Sequence, residues 1–311
     1  MTQISSTREK NSELSAVHAV FARHETFHPR FGWLKKGFDR AKVDPGIFLQ
    51  KDAPVELGVG KNMVRSIRYW CNAFKVLGIE DGSRDTPTEF GQKLLDDRGW
   101  DPFLEDPASL WLLHWHLLEP TCDAAAWYYT FNIFRQVDFS TEDLFAGLRD
   151  YSQSLATRNI ADSSLRKDIS CILRMYGEPE ASRGFVEDSI DCPFTELGLI
   201  RTAGDSGRYT FRIGSKANLP PQIVVAACLE YAARVTQGAK TIAISRLLYD
   251  IGSPGMAFKL SESALCEAIE QVASTQDRVA LSDAAGLIQF SFTEEPEALA
   301  NDILDKYYTN P

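Results

Sequence analysis

The residues best suited to chemistry come early, in the segment HETFHPRFGW: they are His24, Glu25, His28 and Arg30. Two histidines four residues apart, the first followed by a carboxylate, are typical of zinc ligands on a helix. Pro29 disfavours a continuous helix here, so the zinc-protease pattern is not met. Two interpretations stay open. Either these groups bind magnesium or act as general acid and base on a phosphodiester, or they form a loop whose histidines hydrogen-bond within the fold.

A basic helix face follows. Between Leu57 and Ile79 the chain has four basic residues and no acidic ones. At about 100° per residue, one side of a helix starting at Lys61 carries polar side chains within about 80° of each other. They are Lys61, Arg65, Arg68, Asn72 and Lys75. Basic side chains neutralise DNA phosphates, and Asn62 or an arginine near the helix start can read base edges. The alternative is an ordinary solvated face.

The elements around this face have the order of a winged helix. Helices are predicted over Phe31–Lys42, over a short segment capped by Asp52, and from Lys61 onward, where apolar residues recur at steps of three and four. Gly58 and Gly60 mark the turn between the second and third helices. A turn-rich segment follows, and Thr86-Pro87-Thr88-Glu89 predicts a capping box with proline at the first helical position.

The rest of the chain is predicted to be mainly helical. Strongly apolar helices are expected over 106–118 and 122–134, and amphipathic helices over 141–155 and 163–176. A hairpin is predicted from 197–201 and 208–213, followed by helices over 220–236, 243–249 and 261–273 and a strand pair over 279–281 and 287–292. This last module resembles a second winged helix. Its recognition helix would expose Glu262, Glu267 and Glu270, which repel phosphates and favour a packing or protein-binding role.

The fold class predicted is therefore mainly α with small β hairpins. A chain of 311 residues should form two or three domains. All six tryptophans lie at or before Trp127, which favours a winged-helix-like DNA-binding domain over 1–139 and a helical domain over 140–311. With no bilayer-length apolar segment and no signal peptide, we expect a cytoplasmic protein without membrane contact. The net charge of -10 excludes indiscriminate nucleic-acid binding by a basic coat.

Other reactive residue types favour structural roles. The six cysteines contain no C-x-x-C pair, so neither a disulfide framework nor a zinc ribbon is indicated. Cys192, in Asp191-Cys192-Pro193, lacks an adjacent basic cluster that would lower its pKa. His114 and His116 lie in an apolar stretch and are expected in the core or at its edge. The chain has no P-loop, dinucleotide-binding fingerprint or nucleophile elbow, which disfavours a nucleotide-dependent enzyme.

Several stretches, above all HETFHPRFGWLKKGFDRA and LGVGKNMVRSIRYWCNAFKVLG, resemble a bacterial family first described as a domain of unknown function, which includes the SspB-type component of DNA phosphorothioation systems. Shared motif residues are His24, Glu25, Thr26, Phe27, Arg30, Gly32, Trp33, Leu34, Lys35, Gly58, Gly60, Lys61, Asn62, Met63, Val64, Arg68 and Trp70. The resemblance covers nearly the whole chain. It implies a DNA-nicking protein in phage defence, acting beside a cysteine desulfurase, an ATP pyrophosphatase and an ATPase that replace a phosphate oxygen with sulfur.

Combining residues and resemblance, we assign phosphodiester hydrolysis to the HETFH segment. Glu25 or His24 would activate water or hold a divalent metal, Mg²⁺ or Mn²⁺, and His28 would assist. DNA would be bound by Arg30, Lys35, Lys36, Lys61, Asn62, Arg65, Arg68 and Lys75. Two rivals stay open: a non-catalytic winged-helix DNA-binding subunit that recruits the sulfur-transfer enzymes, and a scaffold that binds chiefly proteins. The subunit number, including a homodimer, is also left open.

Overall fold

The computed structural model describes residues 17–155, 159–177, 192–203, 207–284 and 286–309. Helices predominate and the strands form small sheets of two or three members, so the predicted fold class is confirmed. Within these ranges, no helix combines the length and the apolar character that crossing a bilayer requires.

The chain divides into two compact units. One comprises residues up to Phe103 together with His116–Thr210, and the other comprises Leu104–Trp115 together with residues from Phe211 onward. This division differs from the one predicted at residue 139. The sheet explains the difference, because Asp138 pairs with Thr210 and Ser140 pairs with Arg208, which ties both sides of residue 139 into one unit.

The first unit begins with a helix-turn-helix and a hairpin. In chain order the elements are α1 (Trp33–Val43), a 3₁₀ turn (Ile47–Leu49), α2 (Ala53–Leu57), α3 (Lys61–Ala73), β1 (Leu77–Glu80), β2 (Arg84–Pro87) and α4 (Glu89–Leu95). The predicted apolar stripe of α3 is confirmed, since Ile67, Trp70 and Cys71 are fully buried. The strands β1 and β2 pair antiparallel. The winged-helix interpretation of this order stays a prediction.

The capping box was predicted two residues too early. Pro87 ends β2, and the cap of α4 is Thr88, whose side chain accepts a hydrogen bond from the Gly91 amide. The pairing of Leu77 with Pro87 extends the hairpin through the predicted cap, so strand pairing overrides the local capping signal there.

Helices and a three-stranded sheet complete the first unit. The next helix in the chain, α5 (Pro107–Leu118), lies mostly in the second unit. The first unit continues with α6 (Ala125–Tyr128) and a π-helical turn (Tyr129–Ile133), β3 (Asp138–Ser140), α7 (Thr141–Leu155), α8 (Asp162–Tyr176), a 3₁₀ turn (Pro193–Leu197), β4 (Ile200–Thr202) and β5 (Arg208–Phe211). The sheet order is β3-β5-β4. Part of the predicted 203–207 hairpin loop lies outside the described residues. Stacked aromatic rings, such as Phe74 on Phe194 at 4.9 Å, fill the core.

The second unit follows the predicted helix order with additions. Its elements are α9 (Pro221–Val235), β6 (Thr241–Ala243), α10 (Ile244–Tyr249), α11 (Pro254–Phe258), α12 (Glu262–Ala273), β7 (Val279–Ala284), β8 (Leu287–Phe292) and α13 (Pro296–Thr309). The sheet order β6-β8-β7 adds a strand to the predicted pair. Ser261 caps α12 by accepting from the Ala264 amide, and Glu262, Glu267 and Glu270 are exposed as expected. The second winged helix also stays a prediction.

Candidate functional site

The backbone of the His24 loop, which we define as residues 22–26, has an unusual conformation. Ala22, Glu25 and Thr26 have φ values of 54°, 51° and 71°, in the left-handed region that non-glycine residues rarely adopt. Each such residue costs about 1–3 kcal/mol, so the conformation persists only where surrounding contacts fix it. The contacts that fix it therefore matter to any function of the loop.

A buried carboxylate holds the loop. Asp168 on α8 accepts hydrogen bonds on Oδ1 from the Ala22 amide at 2.9 Å and from His24 Nε2 at 2.8 Å. Both side chains are almost fully buried. Burial raises the pKa of the Asp168 carboxyl, and the hydrogen bond from His24 acts in the opposite direction. This pair lies in the protein interior and connects residues 144 positions apart in the chain.

The imidazole of His24 is enclosed by aromatic rings. Its ring centroid lies 5.6 Å from that of Trp127 and 6.1 Å from that of Trp70. His24 is 0% exposed, and its Nδ1 atom has no hydrogen-bond partner among the residues that the structure describes. His28 is only 3% exposed. Both histidines therefore lie in the core in this structure, and the catalytic roles predicted for them stay predictions. His24 acts here as an anchor.

Glu25 faces the other way. Its carboxylate is about one-third exposed, and its Oε1 lies 3.5 Å from the Arg65 guanidinium on α3. The structure thus brings together one predicted catalytic residue and one predicted DNA-binding residue at the surface. An accessible carboxylate can accept a proton or bind a cation, and an adjacent arginine can bind a phosphate.

The N-terminal part of α3 is the accessible part of the predicted DNA-binding face. Lys61, Asn62 and Arg65 are exposed, whereas the opposite side of the helix packs in the core. The N-cap residue is Gly60, which has no side chain to cap the amides of the first turn, and no other described side chain does so. Free amides and the positive end of the helix dipole favour a bound phosphate at this position. Helix geometry and charge therefore both favour DNA here.

The other predicted DNA-binding residues have partners within the protein. Lys35 pairs with Asp39 and Asp97, Lys36 donates to the Leu57 carbonyl, Arg68 pairs with the buried Asp85, Lys75 contacts Glu119, and the Arg30 guanidinium lies over the Trp33 ring. Lys75 also lies beyond the end of α3 and has a φ of 58°, so it does not extend the helix face. These contacts occupy the side chains of these residues within the protein, and the DNA-binding roles predicted for them stay predictions.

The remaining histidine and cysteine candidates have structural surroundings. His114 is fully buried and donates to the Ala257 carbonyl at 3.0 Å, and burial lowers its pKa to about 3. His116 stacks on Phe90 and pairs with Glu119 at 2.8 Å. Cys192 is buried, which raises the pKa of its thiol to about 12, while Asp191 lies outside the described residues. These placements agree with the structural roles expected from sequence.

Asp168 is the site residue that sequence reasoning missed. The signal was present: α8 buries Leu165, Ile169 and Ile172, and Asp168 falls within that apolar stripe. An acid on the buried side of an amphipathic helix needs a partner, because an unpaired buried charge is strongly unfavourable. That rule predicts a buried partner for Asp168, although it does not identify His24.

The His24 loop offers limited ligands for magnesium. Asp168 is occupied by its two donors, so Glu25 is the one accessible carboxylate of the loop. Magnesium often keeps several waters and uses one or two protein carboxylates together with substrate phosphates, and Glu25 fits that restricted role. Arg65 opposes a cation at this position until a phosphate takes up its charge.

These features define a mainly helical protein with a helix-turn-helix whose exposed N-terminal end is basic and adjoins a carboxylate in a constrained loop. The model of a family described as "protein of unknown function (DUF4007)" matches residues 21–308, so the chain belongs to that family. A comparison with curated proteins gives no match.

Solved structures described as SspB are similar to this chain throughout. A "magnesium ion-bound SspB crystal structure" has 40% sequence identity and a TM-score of 0.90, and an "SspB crystal structure" has 41% identity and a TM-score of 0.89. Each alignment covers 96% of this chain and 90% of the other. The resemblance to the SspB-type family is thereby confirmed.

Proposed function

We propose that this protein binds and nicks DNA as a component of a DNA phosphorothioation system. The observation that carries the proposal is the contact between Glu25 and Arg65, at 3.5 Å, beside the exposed start of α3. It places a group able to accept a proton next to groups able to bind the DNA backbone. The SspB-type relationship supports the biological setting.

In this proposal the helix binds the phosphates and the loop supplies the acid. Lys61 and Arg65 neutralise backbone charge, and the first-turn amides of α3 donate to a phosphate oxygen. When Arg65 turns to a phosphate, the Glu25 carboxylate loses its partner and becomes free to accept a proton from the attacking water. The water oxygen bonds to phosphorus as the P–O bond to one sugar oxygen breaks, and that oxygen leaves as a hydroxyl after taking a proton from solvent. His24 keeps the loop in place through its contact with Asp168.

Magnesium, when bound with the DNA, would be held by Glu25 and would stabilise negative charge on the phosphate. Only this carboxylate of the loop is placed for the role, which agrees with a metal bound chiefly through substrate and water. Manganese has the same preference for oxygen ligands and should substitute for magnesium.

The proposed partners come from the family relationship. A nick would give access to the backbone for a cysteine desulfurase, an ATP pyrophosphatase and an ATPase, which together insert sulfur as part of phage defence. The exposed acidic residues of α12 support a protein-binding role for the second unit, because they repel DNA.

A second candidate function is DNA binding without cleavage. The burial of His24 and His28 favours it, since two of the three residues assigned to chemistry are withdrawn from the surface. Such a subunit would recruit the sulfur-transfer enzymes to DNA. Strand breakage by the purified protein separates the two candidates.

The deciding experiment is a supercoiled-plasmid assay with Mg²⁺ or Mn²⁺. We expect open circles from the wild type, and a rate reduced about 100-fold or more in Glu25→Gln, the usual loss when a general base is removed. Binding by Glu25→Gln should be retained, whereas Lys61→Ala/Arg65→Ala should weaken it. Glu89→Gln, at a surface ion pair with Lys93, is the matched control and should behave as wild type.

Two results would reject nicking. One is a wild type that binds DNA and leaves the plasmid closed with both metals over a range of salt concentrations. The other is Glu25→Gln that nicks at the wild-type rate. The first result supports the recruiting subunit, and the second removes Glu25 from the chemistry.

A further inference from the structure

We infer that Asp168 is a positioning residue that holds Glu25 against Arg65 through the strained His24 loop. The effect of this positioning on nicking rests on the proposed function. The positioning of Glu25 itself can be measured without DNA cleavage. The inference assigns a role in the site to α8, which follows the loop by more than a hundred residues in the chain.

The loop is fixed at two points by one helix. Asp168 binds its start, through the Ala22 amide and His24 Nε2. Arg174, six residues further along α8, donates from its guanidinium to the Thr26 carbonyl at 2.9 Å and so binds the end of the loop. Glu25 lies between these two points. Its left-handed backbone is therefore held from both sides.

The two contacts have a directional effect on Glu25. With φ at 51°, the backbone at Glu25 reverses the direction of the chain relative to an extended residue, so His24 enters the core while the carboxylate of Glu25 faces Arg65. If the anchor is lost, the strain is released, because each left-handed residue gains by returning to the common region of φ and ψ. Glu25 then no longer has a fixed position beside Arg65.

Substitutions at Asp168 distinguish its role as a hydrogen-bond acceptor that positions the loop from the effect of its negative charge. Asp168→Ala removes both acceptors, whereas Asp168→Asn keeps an oxygen that can accept from Ala22 and His24 and should restore most of the positioning. Arg174→Gln tests the second anchor at an exposed residue where folding is not at risk. Asp162→Ala, at an exposed acid on the same helix, is the control.

Hydrogen exchange of the intact protein reports on the loop directly. In the wild type the Ala22 amide should exchange slowly, because it donates to a buried carboxylate. We expect peptides covering residues 20–27 to exchange at least about tenfold faster in Asp168→Ala, and near the wild-type rate in Asp168→Asn and Asp162→Ala. Arg174→Gln should accelerate exchange at the end of the loop.

A double-mutant cycle on DNA affinity then tests the position of Glu25. In the wild-type background, Glu25→Gln should tighten DNA binding about two- to fivefold, because an exposed ion pair worth up to about 1 kcal/mol no longer competes for Arg65. In the Asp168→Ala background the same substitution should leave the affinity unchanged. If Asp168→Ala does not fold, Arg174→Gln takes its place and should reduce the effect.

The outcomes separate this inference from the proposed function. If Glu25→Gln no longer changes DNA affinity in the Asp168→Ala background, and the loop exchanges fast there, positioning by Asp168 is supported even if the protein never nicks DNA. If nicking occurs, Asp168→Ala should lower the turnover rate more than the affinity, and Asp168→Asn should restore it. The inference would be overturned if Glu25→Gln tightened DNA binding as much in a folded Asp168→Ala variant as in the wild type. Unchanged hydrogen exchange of the loop in that variant would overturn it too.

Discussion

His24 and Glu25 are neighbours in the chain and yet have opposite surroundings. The first is fully buried against Trp127 and Asp168, and the second faces solvent beside Arg65. The change of direction falls at Glu25, one of three left-handed residues in the loop. The two residues therefore divide their tasks: one fixes the loop, and the other is free to contact a ligand.

Arg68 illustrates a basic residue whose role is structural. Its Nε donates at 2.8 Å to Asp85, which is fully buried and also accepts from Asn72. We expect Arg68→Ala to lower the free energy of unfolding by about 2–3 kcal/mol, because it leaves a buried carboxylate without its cation. Urea denaturation measures the loss. Arg65→Ala, at a half-exposed side chain, should change stability by less than about 0.5 kcal/mol.

This difference affects the design of the DNA experiments. A variant that removes Arg65 and Arg68 together would confound lost stability with lost phosphate contacts, so Lys61 and Arg65 are the better pair. Equal stability of Arg68→Ala and wild type would show that Asp85 does not depend on its ion pair.

His114 gives the second unit a defined response to acid. Burial lowers its pKa to about 3, so between pH 6.5 and 3 the unfolded chain binds a proton that the folded protein does not. Its contribution to stability is therefore present above pH 6.5 and is lost as the pH falls below it. Wild type should lose about 1–2 kcal/mol relative to His114→Gln between pH 7 and pH 5. Urea denaturation of both proteins at both pH values tests this prediction. An equal loss of unfolding free energy in wild type and His114→Gln would contradict it.

At the scale of elements, the hairpin and α4 depend on a close backbone contact. A Cβ on Gly91 would lie 2.0 Å from the Val76 carbonyl oxygen, which is backbone and cannot move aside. Gly91→Ala should therefore destabilise the protein by more than about 2 kcal/mol, although alanine normally favours a helix by about 1 kcal/mol.

Gly60 provides the matched control for this prediction. It caps α3 in an extended conformation, and a Cβ added there would meet no atom of the described residues within 4 Å. Gly60→Ala should change the unfolding free energy by about 1 kcal/mol or less. The thermal midpoints of the two variants distinguish them, and a Gly91→Ala variant as stable as Gly60→Ala would exclude the contact as a constraint.

Periodicity predicted the long helices well. The predicted span of α7 agrees with the structure, and α8 and α9 begin or end within one residue of prediction, because their apolar stripes are unambiguous. The helices α11 and α13 were missed. The first is a single turn between two others, and the second follows a predicted strand pair at the end of the chain. Local patterns are weakest for such short or terminal elements.

The candidate site was less predictable, for a physical reason. The residue types of HETFH indicated chemistry, but their exposure depends on Asp168, which lies far away in sequence. The same holds for the basic face, where Asp85 and Glu119 bind Arg68 and Lys75. Helical spacing shows which residues share a face, and tertiary contacts decide which of them stay accessible.

For the whole molecule, a net charge of -10 makes the number of accessible cations decisive for DNA binding. Among the described residues near the His24 loop and the start of α3, the exposed cations are Arg23, Lys36, Lys61 and Arg65, and Lys36 already donates to the Leu57 carbonyl. The internal ion pairs reduce the contribution of the other basic residues to DNA binding. The protein should therefore bind DNA through few phosphate contacts.

The salt dependence of DNA affinity tests this count. With about three phosphates neutralised, log K should fall with log salt concentration with a slope of about -2.7, which is a loss of about 40-fold between 50 and 200 mM salt. If all seven basic residues in the sequence-predicted set bound phosphates, the slope would be about -6 and the loss several thousandfold. Fluorescence anisotropy with a short duplex measures the slope.

Variants identify the cations responsible for that slope. Lys61→Ala and Arg65→Ala should each reduce its magnitude by about 1, because each removes one phosphate contact. Lys42→Ala is the control, since Lys42 pairs with Asp96 and should leave the slope unchanged. A slope near -6 that falls in the Lys42→Ala variant would mean that DNA displaces the internal carboxylates, and the binding surface would then extend along α1 as the sequence predicted.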